Sequence, residues 1–281
     1  MMPEKDFDSL QNQWYRGLVM AGIITLTTDF GLKDHYAGAM KGAVLSVNPD
    51  AKVIDITHLI EPGNIIEAAF IMAEACLFFP KGTVHVGVVD PGVGTKRRPV
   101  IIETEQYLFV GPDNGLLSLA AKKDGIKRAV ELTAPKLFLN PASATFHGRD
   151  IFGPVAARLS IGLDPIEAGR EIAGDIVSLK IPGPKKKGMV ISGEVIHIDS
   201  FGNLITNINS EDIKRLSAKQ LSISVKGAVL KGIKKTYGLA RAGSLLALIG
   251  SSGCLELAVN KGNASMALSA KVGDHVILTG R

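Results

Sequence analysis

TVHVGVVDPGVGTKRRPVIIETEQYLFVGPDNG, residues 83–115, decides the fold. Its first seven residues form a short β-branched apolar run, the pattern of a buried strand. That run ends in an acid, Asp90. A glycine-rich, basic loop follows. PVIIETEQYLFVGPDNG (99–115) then alternates around a central polar stretch. This predicts a hairpin closing in a tight turn at Asp113, Asn114 and Gly115.

The flanking segments extend the pattern. Upstream, IITLTT (23–28) reads as a strand ending at Asp29, and HYAGAMKGAVLSV (35–47) as a helix. KVIDIT (52–57) reads as a strand and IIEAAFIMAEACLFF (65–79) as a helix. Downstream, LLSLAAKK starts a short helix, RAVEL (128–132) is a strand, and IFGPVAARLSIG (151–162) is helical with a small-residue face. Alternating strands and helices predict an α/β domain with a parallel or mixed central sheet. After IPGPKKKG (181–188) the texture changes. GMVISGEVIHID, NLITNIN, LSISV, SLLALIG, CLELAV and DHVILTG are strand-like and separated by turn residues, which predicts a second, all-β domain. The expected organisation is an N-terminal arm over 1–20, an α/β domain over 21–183, a lysine-rich linker over 184–188 and the β domain over 189–281.

Composition narrows the function. A 281-residue chain with 46% hydrophobic and 21% charged residues has ample material for packed cores. The net charge of +5 is spread along the chain, and aromatics at 5% leave few platforms for stacked bases, so nucleic acid is not the expected partner. No apolar run approaches the ~20 residues that span a bilayer. The first 20 residues lack the apolar core of a secretory signal and are expected to be a disordered arm, with Met20 a possible start of translation. Two distant cysteines, Cys76 and Cys254, suit a reducing cytoplasm rather than a disulfide framework.

In an open α/β sheet, ligands bind beyond the carboxyl ends of strands. Asp29 and Asp90 both fall there. The loop after Asp90 fails as a phosphate cradle: Gly92-Val93-Gly94-Thr95-Lys96 lacks the Walker A spacing and runs into Arg97, Arg98, Pro99 and a strand, not a helix. Arg97 or Arg98 is placed to pair with Asp90, and Lys96 and Arg98 otherwise read as solvated charge. Asp34 suits the cap of the following helix. Asp29, Asp34, His35, His58, Asp90 and His147 are all metal-ligand types, but no pair has the spacing of ligands on one helical face. His147, in TFHGRD (145–150), also reads as a helix cap. In IDSFGNLITN (198–207), Asp199, Phe201 and Asn203 share a turn; an aromatic beside an amide suits a purine, and a plain hairpin turn is the alternative. GSSGCLELAV (250–259) offers Ser251 and backbone groups.

TTDFG, HLIEPGN, VVDPGVGT, GPDNGLL, TFHGRDIF, FGNLITN and SSGCLELAVNKGNA occur in the order seen in the S-adenosylmethionine hydroxide adenosyltransferases, and the chain resembles that family over residues 21–281. The resemblance implies a β-barrel-like C-terminal domain and a homotrimer with active sites at subunit interfaces. It implies attack of water or hydroxide on C5′ of S-adenosylmethionine, giving adenosine and methionine, with no cofactor and no metal. It places a triad on Asp90, Arg97 and His147 and ribose binding on Asp29. Nucleoside contacts fall on Asn203, Ser251, Glu256 and Val259, adenine stacking on Phe201, and the methionine end near Asp34 and Asp199. Asp90 or His147 would take the proton of water. Related halogenating enzymes differ at informative places. They carry tyrosine where this chain has Asp90, and the fluorinating enzyme has serine where this chain has Gly148 and tryptophan where it has Gly63. Halide capture is therefore not expected. A halogenase-like adenosyltransferase, a non-catalytic adenosine or S-adenosylmethionine sensor and a metal-dependent hydrolase are the rival readings.

Overall fold

A computed structural model of the chain describes residues 22–172, 176–216 and 218–281; the expected arm over 1–20 lies outside them. The chain divides into two compact units, with the break between Leu179 and Lys180.

The first unit carries β1 (Ile23–Thr28), α1 (Tyr36–Val47), β2 (Lys52–Thr57), α2 (Ile65–Ala75), β3 (Val84–Val88), β4 (Pro99–Thr104), β5 (Leu108–Pro112), α3 (Ser118–Asp124), β6 (Ile126–Leu132), α4 (Gly153–Leu159) and β7 (Gly169–Ile172). The strands form one sheet in the order β2-β1-β3-β5-β4-β6-β7. β1 is parallel to both β2 and β3, and β3 is parallel to β5. β4 pairs antiparallel with β5 and β6, so the hairpin read from 99–115 turns a parallel sheet into a mixed one.

Strand side chains alternate faces, so each strand feeds two cores. Ile101, Val110 and Val130 pack with Met40 of α1 and Val155 of α4 on one face. Val100, Ile102, Phe109 and Ala129 pack with Met72 of α2 and Ala120 of α3 on the other. With both faces covered, the central strands are apolar nearly throughout.

Two helices depart from their expected extents for local reasons. α2 stops at Ala75 and continues only as a 3₁₀ turn, Cys76–Phe78. Phe79 precedes Pro80 and is extended, as a residue before proline prefers. α4 is preceded by a π-helical turn over Gly148–Phe152. Pro154 has no N–H to offer the Asp150 carbonyl, which accepts instead from Leu139 N at 2.8 Å.

The second unit contains β8 (Lys185–Lys187), β9 (Val190–Ile198), β10 (Leu204–Asn209), α5 (Ser210–Lys214), β11 (Leu221–Val225), β12 (Ala228–Lys231), β13 (Leu245–Ile249), β14 (Cys254–Val259), α6 (Ala264–Leu268) and β15 (His275–Gly280). The sheet runs β12-β11-β15-β9-β10-β14-β13, all antiparallel. Lys234 N donates to Ala247 O at 2.8 Å, and Lys234 bridges to Leu248, which draws the chain beyond β12 against β13. The sheet is thus a nearly closed barrel around Ile191, Val195, Leu204, Ile223, Leu257 and Leu278. Lys185–Lys187, expected as linker, instead forms a short strand paired with β9. Its three exposed lysines suit an edge that must not recruit another strand.

Candidate active site

Asp29 and Asp90 follow β1 and β3, adjacent parallel strands, so both stand at one end of the sheet. They open onto a cleft of about 360 Å³ lined by Phe30, Gly63, Phe146, His147 and Gly148 as well. Asp29 Oδ2 accepts from Gly63 N at 3.0 Å, which leaves the other oxygen to a ligand. Phe30 and Tyr36 meet the Phe146 ring edge-on, with centroids 5.5 and 5.3 Å away, and make one wall aromatic.

Arg97 joins Asp90 to His147. Its Nε donates to Asp90 Oδ1 and Oδ2 at 3.0 and 2.9 Å, and a terminal nitrogen reaches Oδ2 at 2.5 Å. The same nitrogen lies 2.6 Å from His147 Nδ1. Guanidinium has only donors and stays charged, so Nδ1 must accept and Nε2 carries the proton of the neutral ring. The Arg97 guanidinium also lies 5.3 Å from the Phe152 ring centroid. The Asp90 and Arg97 side chains are 6% and 10% exposed, so the pair is largely shielded from solvent screening. Burial holds His147 below its ordinary pKa and the Arg97 charge adds to this, against the opposing pull of Asp90 and Asp150. The neutral imidazole is therefore the favoured form. His147 makes no side-chain cap to the turn it precedes; its ring serves Arg97 instead.

The glycine-rich loop is built for close approach to a second loop. Gly94 has φ +74°, and a Cβ there would strike the backbone carbonyl of Ala144. Its bare backbone lets the Asp90 loop lie against the loop that leads to His147. Arg98, read as solvated charge, forms a bridge to buried Asp113, with Nε 3.0 Å from Oδ2. Asp34 is exposed, and α1 takes its N-cap at His35 with no side-chain cap, so the expected Asp34 cap does not form.

In the barrel unit a second cleft of about 400 Å³ is lined by Phe201, Asn203, Tyr237, Val259, Asn260 and Lys261. The Phe201 ring is 75% exposed, as a free stacking platform would be. Asp199 organises the turn: its Oδ1 accepts from Phe201 N and Asn203 N at 2.9 Å, and Oδ2 from Asn203 Nδ2 at 3.0 Å. This uses one of the two Asn203 amide N–H donors and leaves the other, with the amide oxygen, to a ligand. Ser251 lies on the β13–β14 turn and is exposed. Buried Glu256 accepts from Tyr237 Oη at 2.6 Å. Burial raises the Glu256 pKa and the Asp199 charge adds to it, while the Tyr237 bond opposes.

Tyr237 and the pair Asp113–Asn114 are the residues that sequence reasoning missed. Tyr237 lies in a stretch without strand or helix pattern, and its partner is 19 residues away. The acid and amide after Pro112 had a sufficient explanation as turn formers. His58 is a third. Its Nδ1 lies 2.7 Å from Thr28 Oγ1 and its Nε2 3.0 Å from Asp55, which ties the end of β1 to β2. Among the described residues no group of three or more His, Cys, Asp or Glu side chains is gathered to hold a metal ion.

The N-terminal domain model of the SAM hydroxide adenosyltransferases matches residues 24–169, and the C-terminal domain model of that family matches residues 193–277. The chain belongs to the SAM hydroxide adenosyltransferase family. It is 39% identical over 258 residues to an (R)-S-adenosyl-L-methionine hydrolase of Salinispora arenicola, covering 91% of this chain and 97% of that relative. It is 40% identical to one from Methanocaldococcus jannaschii, covering 90% and 94%. A fluorinase from Actinoplanes sp. is more distant, at 28% identity over 92% of this chain and 97% of its own length. A crystal structure of an uncharacterized conserved protein from Thermotoga maritima shares the fold with a TM-score of 0.86 at 40% identity, over 92% of this chain and 99% of that one.

Proposed function

We propose that this chain hydrolyses S-adenosyl-L-methionine to adenosine and L-methionine, with Asp90, Arg97 and His147 acting on the water. The relatives' names add that the sulfonium has the (R) configuration, which we take as the substrate here. The observation that carries the reading is one guanidinium shared between a carboxylate and an imidazole beside Asp29.

The water oxygen bonds to C5′ as the C5′–S bond breaks, and the bonding pair returns to sulfur as the neutral thioether of methionine. The positive sulfonium and the developing hydroxide cancel, so a water-poor site that holds them in line gains mostly by positioning. The proton passes to Asp90 and then to solvent. The geometry favours Asp90 over His147: the Nδ1 lone pair is committed to Arg97 and Nε2 already carries hydrogen. A carboxylate has about four lone-pair sites, more than Arg97 occupies. Arg97 stabilises the oxygen as it gains charge, and His147 Nε2–H orients it. Asp29 holds the ribose, and Phe201, Asn203, Ser251, Glu256 and Val259 hold the nucleoside. Asp34 and Asp199 are proposed near the methionine end. None of these steps routes through a metal or cofactor.

Gly148 argues against halide. A side chain there would begin 2.9 Å from Phe30 Cζ, in a ring wall braced by Tyr36 and Phe146. A homotrimer and a cytoplasmic setting belong to the same proposal. Two cysteines 178 residues apart in sequence, Cys76 and Cys254, suit the latter, and light scattering tests the former.

The test is incubation with each sulfonium epimer, following adenosine and methionine by chromatography. Equal release of both products, unaffected by chelator, is expected. Binding without release would favour the sensor, loss with chelator a metal enzyme, and 5′-chloroadenosine formed with chloride a halogenase. Asp90→Ala is expected to cut turnover far more than affinity, and Asn203→Ala to weaken nucleoside affinity.

A further inference from the structure

We propose that Asp113 and Asn114 are positioning residues: they clamp both ends of the Asp90–Arg97 loop and so set how Arg97 meets Asp90 and His147. The inference rests on the hydrolase reading only for its kinetic consequence; the clamp itself is a matter of geometry.

The turn after β5 stands between the end of β3 and the start of β4. Pro112 pairs with Pro99, and Asp113 N then donates to Arg98 O at 2.9 Å. The Asp113 carboxylate takes the Arg98 side chain on Oδ2 and Val177 N, at 2.8 Å, on Oδ1. Arg98 is thereby held at two points, and the residue before it is Arg97. Asn114 works on the other end. Its Nδ2 donates to Val89 O at 2.8 Å, and the residue after Val89 is Asp90. Leu116 N donates to Asn114 Oδ1 at 3.2 Å, so the amide has one consistent orientation.

Two consecutive side chains of one turn thus hold the two residues that flank Asp90 and Arg97. Within the loop, Val93 N donates to Asp90 O, Thr95 N and Thr95 Oγ1 donate to Gly92 O, Arg97 N donates to Thr95 Oγ1, and the Arg97–Asp90 pair joins one end to the other. These contacts are internal to the loop and do not fix where its ends stand on the sheet. Arg97 must satisfy two partners at 2.5–3.0 Å at once, and a displacement of about 1 Å in a reacting constellation costs on the order of 100-fold. Consecutive arginines that serve different acids, Arg97 on Asp90 and Arg98 on Asp113, also keep the loop from slipping by one residue.

The experiment compares Asn114→Ala and Asn114→Asp with Asp124→Asn in the full chain. Asn114→Asp keeps the acceptor for Leu116 N and loses the donor for Val89 O. Asp124 accepts from Gln106 N and Gln106 Nε2 at the far end of the sheet, so its variant reports a purely structural loss. The first readout needs no substrate: NMR titration of His147, which faces Arg97, Asp90 and Asp150. Both Asn114 variants are expected to move this titration upward as Arg97 withdraws, and Asp124→Asn to leave it in place. The second readout is kcat, expected to fall about 10- to 100-fold with KM changed less than about threefold. If the Asn114 variants destabilise too far to purify, Arg98→Lys makes the same comparison with the turn backbone intact. An unmoved His147 titration in a folded variant overturns the clamp, as does a shift that Asp124→Asn reproduces. A moved titration in a chain that releases no adenosine overturns the hydrolase reading and leaves the clamp standing.

Discussion

A terminal nitrogen of Arg97 lies 2.6 Å from His147 Nδ1, and that contact decides which ring nitrogen carries the proton. Arg97 spans Asp90 and His147 because a guanidinium is a planar fork of donors. Lysine offers one point charge and cannot occupy both positions. Arg97→Lys is therefore expected to behave as a loss, lowering kcat about 100-fold or more with little change in nucleoside affinity. Steady-state kinetics beside calorimetric binding of adenosine checks this. Near-full turnover in the variant would show that charge alone suffices at this position.

The depressed His147 pKa gives the rate a direction with pH. Burial and the Arg97 charge hold the folded-state value below 6.5. The neutral ring accepts from Arg97; the protonated ring repels it. Turnover is expected to hold through neutral pH and past 6.5, and to fall only as pH drops through the depressed value. Stability follows the same sign: the unfolded chain binds the proton more readily, so this contribution is present above the unfolded value and is lost as pH falls. A kcat/KM profile of the wild type and His147→Gln assigns the limb. Its persistence in His147→Gln would move the assignment to another group.

Much of this was legible in local sequence. Strand ends in α/β sheets and β-branched runs point to Asp29 and Asp90, and the two acids line one cleft. The aromatic–amide turn of Phe201 and Asn203 is compact in sequence, and the two residues line one cleft. The rest depends on contacts between distant segments. Pairing Asp90 with Arg97 and not Arg98 is decided by Asp113, which binds Arg98 from 15 residues away. The lysines 185–187 look like solvated linker because nothing in them is apolar; only β9 opposite makes them a strand. The π turn before α4 follows from Pro154, but the donor that reaches the freed Asp150 carbonyl, Leu139 N, is not readable from it.

Gly94 tests the joint between the two loops. At φ +74° a side chain is strained, and its Cβ would meet the Ala144 carbonyl, a backbone atom that cannot swing aside. Gly94→Ala is expected to push the Asp90 loop away from the His147 loop. Turnover should fall about 10- to 100-fold, while thermal stability falls modestly because the loop is at the surface. Parallel measurement of kcat and melting temperature separates the two effects. A large loss of stability with unaltered kcat in the folded fraction would show that the loops need not touch for the chemistry.

Tyr237 and Glu256 give a prediction in the barrel unit that does not depend on turnover. The phenol donates to Glu256 Oε1 at 2.6 Å. Burial pushes the Glu256 pKa up, Asp199 adds to this, and the Tyr237 bond is what resists it. The same contact and burial push the Tyr237 pKa up to about 12, so the phenol stays protonated and donating across the neutral range. Tyr237→Phe removes the donor and leaves a buried carboxylate with less support. A carboxyl whose folded pKa is raised weakens the fold as pH rises through that value, because the folded state must give up a proton it holds more tightly than the unfolded chain does. The variant is therefore expected to lose more stability at pH 7 than at pH 4, by about 1.5–3 kcal/mol, the range for a hydrogen bond to a charged group. Urea unfolding at the two pH values measures the difference. An equal loss at both would mean that Tyr237 contributes packing alone, and that Glu256 does not rely on it to remain ionised.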